Sequence, residues 1–101
     1  MILTGKCKKY FDRWFDMHYK YKRFDLCNDN FKCMYIIEFF DSIEIYILIN
    51  RECYFYYEIE SEYFTFRKRG FGYNSRLAAN KSAIIKVNEI YNNKNLIKQS
   101  P

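Results

Sequence analysis

The sequence predicts an α+β fold: a helix, an antiparallel meander of three or four strands and a closing helix, with the helices packed on one sheet face. Three observations carry this expectation. Apolar residues recur with a period near 3.6 at the two ends of the chain. They alternate with a period of two in the middle. The turn signals between the middle segments are too short for the crossover that a parallel return requires, so the strands form hairpins.

At 101 residues the chain reads as one domain, 1–101, which excludes an enzyme with a separate cofactor domain. Aromatic residues make up 22% of it, from eleven Tyr, ten Phe and Trp14. Burying such bulky side chains offsets the ordering entropy of the chain, which excludes disorder.

Over residues 6–22, Cys7, Tyr10, Phe11, Trp14, His18 and Tyr21 fall on one helical stripe, with Lys8, Lys9, Asp12, Arg13, Asp16 and Lys20 on the other side. Thr4 or Gly5 is placed to cap the start, and Asp25–Asn30 reads as a loop. From Phe31 the period changes to two, giving a strand to Phe40 that Asp41-Ser42 interrupts. Ile43, Ile45, Ile47 and Ile49 then alternate with Glu44, Tyr46, Leu48 and Asn50, the clearest strand pattern in the chain. A turn at 50–52, a strand over Cys53–Ile59, a turn at Ser61-Glu62 and a strand over Tyr63–Arg69 complete the meander. Gly70-Phe71-Gly72-Tyr73-Asn74 is expected to break that strand. Asn74 or Ser75 then caps a helix to about Asn92, with Leu77, Ala79, Ala83, Ile84, Val87, Ile90 and Tyr91 on its apolar face. The polar residues 93–101 are expected to fray.

No apolar segment follows the opening charges as a secretory leader requires, and no run approaches the ~20 residues of a membrane span, so an intracellular location away from membranes is expected. Cys7, Cys27, Cys33 and Cys53 are spaced by 20, 6 and 20, which matches no redox or zinc pattern. They read as reduced, packed thiols, and no metal or cofactor is expected. His18, the sole histidine, lies on an aromatic helix stripe beyond reach of Cys7, and no phosphate or dinucleotide fingerprint is present. Glu58, Glu60 and Glu62 alternate as a solvated strand face does. A non-enzymatic protein is the expectation.

The net charge of +5 separates along the chain into +4 over residues 1–32, −6 over 33–66 and +7 over 67–101. Such asymmetry points to partners. Arg67-Lys68-Arg69-Gly70-Phe71-Gly72-Tyr73 runs into a helix start that carries Arg76, with Lys81 a turn further on. Free backbone N–H groups and the helix dipole favour an anion there, and Phe71 and Tyr73 offer rings for unpaired bases. The alternative surface is the sheet face away from the helices. There Tyr46, with Tyr54 and Tyr56 beside it, could bind a protein or a second copy of the chain.

Two resemblances sharpen these expectations. Gly70 to Ala83 resembles the last loop and helix of double-stranded-RNA-binding domains, an α-β-β-β-α family. Gly70, Gly72, Arg76, Ala78 and Ala83 match its pattern in kind, and Ser75 and Ala79 stand at family lysine positions. That resemblance implies an autonomous RNA- or DNA-binding module. The ending SRLAANKSAIIKVNEIYNN is similar to the closing helix of small phage proteins, anti-CRISPR proteins among them, a likeness of size, composition and layering. It implies a stoichiometric inhibitor that binds a host defence nucleoprotein or its guide RNA in the cytoplasm. Self-association through the Tyr-rich face is the remaining reading.

Overall fold

The structure, a computed structural model, describes residues 3–62 and 68–94. In chain order these form α1 (Gly5–His18), a 3-10 turn (Phe24–Leu26), α2 (Asp29–Ser42), β1 (Ile45–Arg51), β2 (Phe55–Ser61), β3 (Lys68–Tyr73) and α3 (Arg76–Lys94). The strands make an antiparallel meander in the order β1-β2-β3, with Ile47 opposite Ile59 and Glu58 opposite Arg69. The α+β class and the closing helix are therefore as expected, and three details differ.

The segment Phe31–Phe40, expected as a strand, lies in α2. Its Phe, Tyr and Ile residues are strand formers, and they surround the helix so evenly that the apolar period of 3.6 is blurred. The helix has a well-formed start: Asn28 accepts a hydrogen bond from the Phe31 amide at 3.0 Å, and Asp29 adds a negative charge to the first turn. Asp25–Asn30 is thus a 3-10 turn and a helix cap rather than a plain loop. Among the described residues the sheet has three strands.

Secondly, Gly70-Phe71-Gly72-Tyr73 continues β3 instead of breaking it. Gly70 sits opposite Tyr57, where a Cβ would overlap the Tyr57 ring, and Gly72 takes up an irregularity of the β2–β3 register at φ 89°. Of the expected strand Tyr63–Arg69, Tyr63–Arg67 lie outside the described residues.

Thirdly, α2 and α3 pack on the sheet, while α1 packs on α2 and α3. Cys7, Phe11 and Phe15 form the buried line of α1, whereas His18 and Tyr21 are exposed. The helix stops at His18, where the Tyr19 amide donates to the Phe15 carbonyl at 2.8 Å. The Tyr19 hydroxyl then donates to the Glu38 carboxylate, 2.5 Å from Oε1, and this bond holds its pKa up at about 12. The start of α1 is closed from α3: Asn92 Oδ1 accepts from the Cys7 amide at 2.9 Å, and Asn88 bonds both the amide and the hydroxyl of Thr4 at 2.9 Å. On α3, Ala79, Ala83, Ile84, Val87, Ile90 and Tyr91 are buried as the periodicity predicts, and Ser75 caps it by accepting from the Ala78 amide at 3.0 Å.

Candidate functional site

Because all three helices lie on one side, the opposite sheet face is uncovered among the described residues. Residues directly opposite in an antiparallel pair share a face. The register therefore assembles Tyr46, Leu48 and Asn50 of β1, Glu60, Glu58 and Tyr56 of β2, and Arg69 and Phe71 of β3 on this outer face. Tyr46 is 43% exposed, Leu48 41% and Phe71 66%. The Phe71 ring stacks on half-buried Tyr56 with centroids 5.4 Å apart. Tyr54 stands exposed in the β1–β2 turn. Tyr46 and Leu48 thus point away from the helices as expected, and the register brings Tyr56 to the same face.

The basic run behaves differently. Arg69 lies over the middle of the sheet, where Nη2 is 3.3 Å from Glu58 Oε2, so its charge is matched by a nearly buried carboxylate. Arg76 belongs to the other end of β3, four strand residues and a turn away, at least ~13 Å along the strand at ~3.3 Å per residue. Arg67 lies outside the described residues, and Lys68 is placed only as the β3 residue opposite Ile59. Lys81 faces α2 and bonds Asp29 at 2.6 Å, an interhelical pair. Tyr73 stacks on Tyr57, its centroid 5.9 Å away, on the helical side of the sheet. The single anion site expected over Arg67–Lys81 is therefore divided, because a strand, and not a turn, joins its two halves.

No family model, curated protein or solved structure matches the chain.

The structure also forms a cationic end of the sheet that spacing does not announce. Arg51 closes β1 and Arg76 opens α3, and both guanidiniums lie against the Phe55 ring, 5.5 and 5.4 Å from its centroid. Neither has a carboxylate within ion-pair distance among the described residues. Arg51 and Arg76 are 25 positions apart, and only the hairpin register and the Ser75 cap bring them together; the sequence signal was the paired turn signals around them. At the opposite end, Glu44, Glu60 and Glu62 gather around the Ile45–Ser61 pair. Arg51 and Phe55 alternate with the outer-face residues and so lie on the helical side of the sheet, in line with Ile49 and Tyr57, whereas the outer face carries its aromatic strip beside Glu58, Glu60 and Arg69.

The helical side offers different ground. An open cleft of about 420 Å³ lies between α1, the 3-10 turn and α2, with Leu3, Phe11, Phe24 and Ile36 at its base and Lys8, Asp12, Asp25 and Lys32 around it. No thiol, hydroxyl or imidazole lines it. His18 is exposed at the end of α1, its ring stacked on Trp14 at 4.8 Å and its Nδ1 2.9 Å from the Trp14 carbonyl oxygen. Burial pushes the Cys7 thiol up to about 12 and raises Cys33 as well, which suppresses the thiolate that nucleophilic chemistry requires. Among the described residues no helix is long and apolar enough to cross a membrane.

Proposed function

We propose that the protein is a non-enzymatic binding protein that docks a partner protein on its outer sheet face. The observation that carries this reading is the uncovered strip of Tyr46, Leu48, Tyr56 and Phe71, which shares its face with Glu58, Glu60 and Arg69. Aromatic side chains give large contact area at little entropic cost, and charged groups among them fix the orientation of a partner with the complementary pattern. Glu58 and Glu60 on the same face favour a protein over a phosphate backbone. The likeness to small phage inhibitors directs the search to host defence nucleoproteins. Co-purification with such effectors is expected to recover a stoichiometric complex. Tyr56→Ala with Phe71→Ala is expected to weaken it at least ~30-fold, as hot-spot truncation worth ~2 kcal/mol does. An unchanged affinity in the double variant, or no complex with any effector, overturns the reading.

A second reading, an RNA- or DNA-binding module, is favoured by Arg51 and Arg76 converging on Phe55 beside the start of α3. Phosphate contacts make affinity fall steeply with salt. On this reading Arg51→Glu with Arg76→Glu abolishes a mobility shift at low salt, whereas absence of any shift for the wild type removes the reading.

A further inference from the structure

β1 has β2 on one side and no strand on the other among the described residues. Its run Ile45-Tyr46-Ile47-Leu48-Ile49 is apolar on both faces, a composition typical of strands covered on both faces rather than of exposed edges. Edge strands are ordinarily protected from pairing by proline, lysine, inward charge or a bulge. None occurs over Ile45–Ile49, and the pairing with β2 is regular along the strand. Ile47 and Ile49 point to the helical side but remain only half-buried, so the core is incompletely closed along this edge.

We propose that β1 pairs antiparallel with β1 of a second copy about a two-fold axis at Ile47, forming a six-stranded sheet. The strand is self-complementary in that register. Ile47 meets Ile47 of the second copy, Ile45 meets Ile49, Tyr46 meets Leu48 and Glu44 meets Asn50. Each pair shares a face, and no like charges are opposed. Sliding the copies so that Leu48 meets Leu48 sets Glu44 against Glu52, and sliding them the other way, so that Tyr46 meets Tyr46, sets Glu44 against Leu48. The self-complementary pattern thus argues for a second copy as the occupant, while Glu44–Glu52 repulsion disfavours one neighbouring register and the mismatch of Glu44 with Leu48 the other. A single strand pair is a small interface, so the dimer is expected to dissociate in the micromolar range.

Sedimentation velocity of the full chain from ~1 μM to ~1 mM is expected to show conversion from the 12.5 kDa monomer to a species of twice that mass. Tyr46→Lys with Leu48→Lys alters two exposed outer-face residues and opposes lysines twice across the axis; it is expected to weaken the dimer at least ~100-fold with an unchanged circular dichroism spectrum. Mixing that variant with Tyr46→Glu/Leu48→Glu/Glu58→Gln/Glu60→Gln, in which the β2 carboxylates that would oppose the new ones within the monomer are neutralised, is expected to restore a heterodimer, which a misfolded variant could not do. Isotope-filtered NOEs in a mixed-label dimer should connect Ile47 to Ile47 and Tyr46 to Leu48 across the copies. A wild type that stays monomeric, a lysine variant that dimerises like the wild type, no rescue on mixing, or intermolecular NOEs from Tyr56 and Phe71 instead would each overturn the proposal. These readouts need no other partner, so they stand apart from the binding proposed for the outer face.

Discussion

Gly70 illustrates how one residue sets the shape of the candidate surface. A glycine closing a basic run reads as a turn, yet here Gly70, between Arg69 and Phe71, is the flat spot in β3 over which the Tyr57 ring lies. Tyr57 is buried and its ring is held against Tyr73, so it cannot swing aside. Gly70→Ala is therefore expected to cost ~1–3 kcal/mol through overpacking, measured by urea denaturation. The same change in a Tyr57→Leu background is expected to cost clearly less, because the overlap is with the ring. Equal costs in both backgrounds would locate the effect in the backbone and refute this account. Gly72 differs in kind: nothing lies near its missing Cβ, and its φ of 89° is what an L-residue resists.

At the scale of elements, legibility followed the clarity of the apolar period. α3 and β1 repeat at 3.6 and 2 without ambiguity, and their buried faces were readable residue by residue. α2 was not, because apolar side chains encircle it and serve α1, α3 and β1 at once. Its legible signal was the cap, Asn28 followed by Asp29. If that cap decides the helix, Asn28→Ala is expected to cost ~1 kcal/mol, while Asn28→Asp retains most of the stability. Thermal melts of both variants test this, and an alanine variant as stable as the wild type would place the decision in tertiary packing instead. The two-asparagine clamp on Thr4 had no local signal, since Asn88 and Asn92 lie more than 80 positions from the backbone they satisfy.

For the molecule as a whole, the separation of charge along the chain becomes geometry only through the register. The sheet carries its own cations at one end, and Lys81, which sequence alone sets beside the basic run, instead closes the helical layer onto α2 through Asp29. This pair makes a test of how the layer is held. The Lys81 hydrogen bond and charge lower the Asp29 carboxyl below its ordinary 3.8, and Asp29 in turn raises Lys81 above its ordinary 10.5. A depressed acid stabilises the fold above its unfolded pKa and loses that contribution as pH falls through the folded value. A raised base does so below its unfolded pKa and loses it as pH rises through the folded one. The pair therefore supports the fold across the neutral range and fails at both extremes. Asp29→Asn is expected to lower Tm between about pH 5 and pH 9, with the difference from wild type closing in acid as Asp29 is protonated in both states. Because the side chains are partly exposed, added salt should shrink the difference as well. A Tm difference independent of both pH and salt would mean that Asp29 acts by helix geometry alone and that α2 and α3 are held together by their apolar faces.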